Sequence, residues 1–312
     1  MNSVICTLSE GSYHFGVAAL INSLNTHGFK GEIYIGYRGE LPEWAKNSET
    51  ISSKSRSLTI RITQGFSAVF MPLETDSHFA FYKPDFILKI FVERPEIDAV
   101  FYFDPDIVIK CHWKNFDSWA QHGVALVHEI VANDMPGTHP KRAEWNKVIK
   151  KANKEPVRYI SSYLNSGFCG VTREYLEFVR IWKHIIEIGR IHYGLNVRKL
   201  MSRDMTDVFA IGDQDAFNMA AMCADVPISE VGPEGMDFLY GGIYMSHAAG
   251  KTKPWIKSYI YESLRGNPPS LADKNYWINV QHPLKLYSKS EVLYKNLVLK
   301  TASFVGRFYR RY

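Results

Sequence analysis

Ala99-Val100-Phe101-Tyr102-Phe103-Asp104-Pro105-Asp106-Ile107-Val108-Ile109 is the stretch from which the fold can be read. Its first five residues are apolar without interruption and rich in aromatics, which is how a strand buried on both faces reads. On the N-terminal side, Pro84 is expected to start a helix running to Glu93. Further out, residues 3–8 read as a short buried strand. A turn at Glu10-Gly11-Ser12 then leads into an apolar-periodic helix over 13–26. Strands are expected at 32–37, 58–62 and 68–73, and, beyond Asp104, near 123–127 and 167–171. Helices are expected at 173–188 and 213–222. Strands alternating with helices predict an α/β sandwich with a mixed sheet flanked by helices. Residues 134–156 and 194–207 are polar and are expected to be loop-rich coverings of a site.

A chain of 312 residues, 46% apolar and 22% charged, can bury one large catalytic domain, or one plus an appendage. The first residues lack a basic leader with a long apolar stretch, and nowhere do eighteen apolar residues run together. Cys6, Cys111, Cys169 and Cys223 have no paired spacing, so neither a zinc site nor a disulfide framework is expected, and a reducing cytoplasm is the expected compartment.

The net charge of +5 is unevenly spread. From Pro283 to the C-terminus, Lys285, Lys289, Lys295, Lys300, Arg307, Arg310 and Arg311 face only Glu291, so this stretch carries +6 and the rest −1. Leu286, Leu293, Leu297, Phe304 and Phe308 recur there at intervals of seven and four, with Tyr287, Tyr294, Tyr309 and Tyr312 between them. The pattern predicts a basic amphipathic helix suited to an anionic membrane surface, or a helix packed on the domain with a solvated basic face. Gly266-Asn267-Pro268-Pro269 is the candidate boundary, giving a catalytic domain over 1–265 and a tail over 266–312. No nucleic-acid fold accompanies the charge, so nucleic acid is not an expected partner.

The chemistry-bearing residues fall into two groups. Asp104 and Asp106 sit at i and i+2 where the apolar strand ends. In extended backbone both would point to one side and share a hard cation that also binds diphosphate oxygens. The competing reading is a turn in which the Asp side chains bond their own backbone. A second Asp-x-Asp, Asp213-Gln214-Asp215, precedes a helix and reads equally as a capped helix start. The other group is His247-Ala248-Ala249-Gly250-Lys251-Thr252-Lys253-Pro254-Trp255. An imidazole completes a carboxylate site for a borderline cation, a glycine admits close approach of a phosphate, and Lys253 offers a compact charge to a leaving diphosphate.

Together these residues resemble the retaining glycosyltransferases of the GT-A fold, in particular family eight, which includes bacterial lipopolysaccharide galactosyl- and glucosyltransferases and glycogenin. The match consists of His-x-x-Gly-x-x-Lys-Pro-Trp, the Asp-x-Asp after an apolar strand, Asn165-Ser166-Gly167 and Asp213-Gln214-Asp215-Ala216-Phe217-Asn218, in order over about residues 1–257. The resemblance implies a metal-dependent hexosyltransferase of Rossmann-like GT-A architecture. Mn²⁺, or Mg²⁺, would be held by Asp104, Asp106 and His247, with Pro105 between the two carboxylates.

The same resemblance implies a donor site. Asn165, Ser166, Asp213 and Gln214 would contact the donor sugar, with Gln214 close to the anomeric carbon, Gly250 and Lys253 would contact the diphosphate, and Asp213, Gln214 and Lys253 would be the catalytic residues. Tyr13 would stack on uracil with Ser9 and Glu10 beside the base, although family members usually carry Asp and Asn near the Glu10 and Ser12 positions. A basic residue before the Asp-x-Asp strand would be Lys83 or Lys89; the residues alone leave an exposed, idle lysine equally open.

The implied reaction is transfer of galactose or glucose from a UDP-sugar to a glycan or lipid-linked glycan, in surface polysaccharide synthesis at the inner face of the cytoplasmic membrane. A sugar nucleotidyltransferase and a catalytically silent glycan- or membrane-binding protein are the rival readings. The nucleotidyltransferase would release pyrophosphate and has no use for residues 247–255.

Overall fold

The computed structural model describes residues 1–54, 57–130 and 135–309 and is an α/β protein. In chain order, strand β1 (Ser3–Glu10) is followed by helix α1 (His14–Thr26), β2 (Gly31–Arg38), the one-turn α2 (Glu43–Lys46), β3 (Thr50–Lys54), β4 (Ser57–Thr63) and β5 (Phe66–Pro72). Next come α3 (Phe79–Glu93), β6 (Ala99–Phe103), β7 (Ile107–Ile109), α4 (Lys114–Ala120), β8 (Val124–His128), α5 (Pro140–Lys151), β9 (Leu164–Thr172) and α6 (Leu176–His192). The chain continues through α7 (Gly212–Cys223), β10 (Ile228–Val231), β11 (Met245–His247), α8 (Tyr259–Leu264), α9 (Leu271–Ile278) and α10 (Lys289–Val305).

These elements form two compact units that interleave along the chain. The first takes Met1–Leu8, Leu73–Phe103 and Lys114–Gly235, and the second takes Ser9–Pro72, Asp104–Trp113 and the chain from Met236 onward.

In the first unit the strand order is β10-β8-β9-β6-β1, with β6 parallel to β1, β10 parallel to β8, and β9 antiparallel to both of its neighbours. All five residues of β6 are buried, as its unbroken apolar run requires. Because side chains alternate along a strand, its two faces meet different helices. Phe101 and Phe103 contact Phe116 of α4, whereas the Tyr102 ring lies beneath Lys83 of α3.

Two sequence expectations are corrected in this unit. Helix α3 begins at Phe79 and not at Pro84; His78 caps it, its Nδ1 accepting from the Ala80 N–H, and Pro84 sits inside the helix. Lys83 is therefore a buried helical residue, neither at the helix mouth nor exposed. The stretch 134–156 contains α5, capped by His139 with Pro140 in its first turn. Its buried residues, Arg142, Trp145, Val148 and Ile149, follow the helical period, but the intervening lysines hid it. Asp134 lies outside the described residues. In 194–207 the structure is irregular, with a single bridge between Met201 and Ile211.

In the second unit β2, β5, β4 and β3 run in that order, β2 parallel to β5 and β4 antiparallel to its neighbours, and β7 pairs with β11 in a separate two-stranded sheet. Helices α8, α9 and α10 close a core in which Ala19, Val108, Tyr259, Tyr276, Trp277, Val280, Leu299 and Ala302 meet. Ser288 and Glu291 form a reciprocal capping box that starts α10. It packs through Leu299 and Ala302. Leu293, Leu297, Phe304 and Phe308 are instead 71%, 63%, 57% and 70% exposed, and Leu286 packs against the core. Arg310, Arg311 and Tyr312 fall outside the described residues. No helix among the described residues is long and apolar enough to cross a membrane.

Candidate functional site

Asp104, Asp106 and His247 are brought together by strand register in the second unit. His247 is the last residue of β11 and lies opposite Ile107, the first of β7, and the Ala248 N–H donates to the Asp106 carbonyl, carrying the pairing one step further. One ligand atom from each of the three residues lies within 4.8 Å of the others. The His247 Nε2 is 3.3 Å from Asp106 Oδ1 and 3.9 Å from Asp104 Oδ2.

The two carboxylates do not converge by the extended geometry expected for i and i+2. The Ile107 N–H donates to the Asp104 carbonyl at 3.1 Å, so Asp104-Pro105-Asp106 is a turn. The turn is therefore formed by backbone hydrogen bonding, and it leaves the three side chains where they could hold a metal ion. Helix α1 packs on that turn through Gly16, where a Cβ would stand 2.1 Å from the Pro105 carbonyl oxygen.

Two carboxylate oxygens and an imidazole nitrogen form a donor set that can hold a divalent cation. His247 is buried, and its ring meets Phe238 at 5.7 Å. Its Nδ1 has no hydrogen-bond partner among the described residues, so the carboxylate or carbonyl that usually orients a metal-binding histidine is not supplied here.

Burial would raise the Asp106 pKa, but His247 and Lys253 together pull it well below the usual carboxylate range. The Lys253 Nζ lies 2.5 Å from Asp106 Oδ2, donates to the Ala248 carbonyl at 3.1 Å, and sits 5.7 Å from the centre of the Tyr13 ring. Burial disfavours the ammonium, yet Asp106, Tyr13 and Asp104 raise its pKa above the ordinary lysine value. The expected loop 247–255 thus folds back on the carboxylates.

Gly250 has φ +103°, which L side chains rarely adopt, and nothing lies within 4 Å of a Cβ built there; the backbone conformation, not crowding, calls for glycine. Trp255 meets Tyr13 edge-on at 5.7 Å and donates to the Ser12 hydroxyl at 3.2 Å.

Of the residues expected beside a base, Tyr13 is half-buried and Ser9 is buried, while Glu10 is exposed and held by Arg38 in a two-point ion pair at 2.9 and 2.6 Å. Glu10, Gly11, His14, Arg38 and Trp44 line a cleft of about 860 Å³ in this unit.

The first unit carries its own buried polar cluster. The Ser166 hydroxyl donates to Asp213 Oδ2 at 2.7 Å, and its N–H donates to Gln214 Oε1 at 3.1 Å. The Lys83 ammonium lies 3.3 Å from Asp213 Oδ2 and donates to the Ser166 carbonyl. Lys89, the other candidate, is a surface residue 3.8 Å from Glu93. Asn165 accepts from the Gly167 N–H and donates to Glu129 Oε2.

Asp213 is not the helix cap. Ile211 occupies that position, and Asp215 reaches back to accept its N–H at 2.9 Å. Asp215 is fully buried with Lys141 at 3.0 Å and the Tyr163 hydroxyl at 2.8 Å; burial pushes its pKa up to about 6 against the pull of Lys141. Asn218 bonds the N–H and the carbonyl of Leu164, tying α7 to β9.

Glu129, Tyr163 and Lys141 were not singled out from the sequence. A signal for Glu129 existed, since it is a carboxylate one residue past a strand of an α/β sheet, where such folds place ligands. Lys141 and Tyr163 gave none. Compared with known proteins, no family model matches the chain, and no curated protein matches it.

Proposed function

We propose that this chain is a metal-dependent retaining hexosyltransferase of the GT-A type, taking galactose or glucose from a UDP-sugar and passing it to a glycan or lipid-linked glycan acceptor. The observation that carries the reading is the convergence of Asp104, Asp106 and His247 within 4.8 Å, with Lys253 on Asp106. These three residues would hold Mn²⁺ or Mg²⁺, which supplies charge neutralisation at a diphosphate.

In the transfer, the bond from the anomeric carbon to the UDP oxygen breaks and a bond to the acceptor oxygen forms on the same face. The acceptor hydroxyl passes its proton to the departing phosphate oxygen, and UDP leaves. Lys253 stabilises the negative charge gathering on the departing phosphate oxygen. The nucleobase is assigned to Ser9, Glu10 and Tyr13. In the first unit, Asn165, Ser166, Asp213 and Gln214 are assigned to hexose hydroxyls. Lys83 holds Asp213 in a buried ion pair, and the Ser166 N–H donates to Gln214 Oε1 and orients it.

The C-terminal helix supports attachment to an anionic membrane surface, which would place the enzyme at the inner face of the cytoplasmic membrane. At 3.6 residues per turn Leu293, Leu297 and Phe304 fall within about 40° of one another, with Lys289 and Lys300 about as close on one side. Phe308 follows the helix with its ring 5.3 Å from that of Phe304.

The test is UDP release from a panel of UDP-sugars with and without Mn²⁺, for the wild type and Asp106→Asn. Metal-dependent release that drops at least a hundredfold in the variant supports the reading. Release of pyrophosphate would favour a nucleotidyltransferase, and no turnover together with no UDP binding by calorimetry overturns the reading.

A further inference from the structure

Both carboxylate oxygens of Asp106 are engaged by side chains of the second unit. Oδ1 faces the His247 Nε2 at 3.3 Å, and Oδ2 holds the Lys253 ammonium at 2.5 Å. The pair is sheltered, with the Asp106 side chain 4% and the Lys253 side chain 11% exposed, so solvent screens it weakly. A divalent cation arriving alone at Asp106 meets this ammonium. It must either share the carboxylate with a like charge close by or displace a lysine whose other fixed acceptor is a neutral carbonyl, that of Ala248. Either course weakens binding of the cation. A diphosphate reverses the balance, because its oxygens accept from the displaced ammonium while binding the cation directly.

We infer that Lys253 couples the two ligands: it competes with the divalent cation for Asp106 when the cation comes alone, and favours the cation when a nucleoside diphosphate comes with it. The cation and the diphosphate then bind as a unit. Lys253 acts on cation affinity in opposite directions in the two situations, which a residue serving only as a phosphate contact would not do. The inference rests on the metal reading of Asp104, Asp106 and His247.

The experiment titrates Mn²⁺ into the full chain by electron paramagnetic resonance, with no nucleotide and then with saturating UDP, for the wild type, Lys253→Met and Lys253→Arg, with thermal melts confirming that each is folded. Without nucleotide, Lys253→Met is expected to bind Mn²⁺ about tenfold more tightly than the wild type, and with UDP about tenfold more weakly, in the range of ordinary coupling between sites. Lys253→Arg keeps the charge and should keep the sign of the wild-type coupling, which serves if the Met variant does not fold. Lys253→Met binding Mn²⁺ no more tightly than a wild type that does bind it, or an Arg variant with no UDP–Mn²⁺ coupling, overturns the inference and leaves the metal site standing. If the wild type takes up no Mn²⁺ with or without UDP, the metal reading and the inference fall together.

Discussion

Gly16 of α1 lies so close beneath Pro105 that a methyl group at its Cα would stand 2.1 Å from the Pro105 carbonyl oxygen and 3.0 Å from the Cη2 of Trp255. The first neighbour is backbone and cannot rotate away, so Gly16→Ala has to displace the turn that carries Asp104 and Asp106. We expect a loss of about 1–3 kcal/mol in stability, typical of overpacking, and a Mn²⁺ affinity at least tenfold weaker. Denaturant unfolding and Mn²⁺ titration of the same sample check both, and unchanged affinity would show that the turn yields without moving the carboxylates.

Asp215 gives a pH signature with a definite sign. Its folded pKa of about 6 lies above the unfolded value of about 3.9, so the native state binds the proton more tightly. The stability it contributes is fully present below about pH 4 and is lost as pH rises through about 6, by on the order of 3 kcal/mol. Asp106, with its depressed pKa, pulls the other way at lower pH. The difference between wild type and Asp215→Asn isolates the first effect: urea unfolding at pH 4 to 7 should show the variant gaining relative to the wild type as pH rises. A constant difference would contradict the assignment.

Lys83 and Asp213 form a buried ion pair, their side chains 6% and 2% exposed. Removing one partner leaves the other charge uncompensated, so Lys83→Met should cost about 3–5 kcal/mol. The Lys83→Met, Asp213→Asn double variant should recover part of that loss, and equilibrium unfolding of the three variants measures the coupling directly.

The exposed stripe of α10 makes a claim about surfaces rather than folding. Leu297→Glu combined with Phe304→Glu should abolish co-sedimentation with vesicles containing phosphatidylglycerol and leave the melting temperature nearly unchanged, since neither side chain is buried. Lys289→Gln and Lys300→Gln should each weaken binding by about 1 kcal/mol at low salt. Binding that survives the double Glu substitution would remove the helix from the membrane reading.

The sequence made some of this legible and hid the rest for identifiable reasons. The strand at Ala99–Phe103 was readable because burial on both faces leaves no polar positions, and the helix expected over 213–222 is found at Gly212–Cys223. Helix α5 was obscured by Lys141, Lys147, Lys150 and Lys151, which mask a buried stripe that includes a charged residue, Arg142. Pro84 misled because proline favours helix starts, whereas here His78 supplies the cap six residues earlier. In the site, Asp104, Asp106 and His247 converge as expected but through a turn and a three-residue register match between strands too short to detect. The partners of Asp215 and Asn165 could not be read, because they come from segments remote in sequence.

The interleaving of the two units bears on how the protein is made. β7 leaves the ribosome long before its partner β11, so Asp104 and Asp106 wait for about 140 further residues, on the order of ten seconds of synthesis at ordinary rates, before His247 exists to join them. During that interval the nascent chain presents an unpaired apolar strand, Ile107-Val108-Ile109, beside two carboxylates. A chain halted anywhere before Met245 is therefore expected to be a client for chaperones. Neither unit can be produced by cutting the gene once, since each is assembled from three separated stretches.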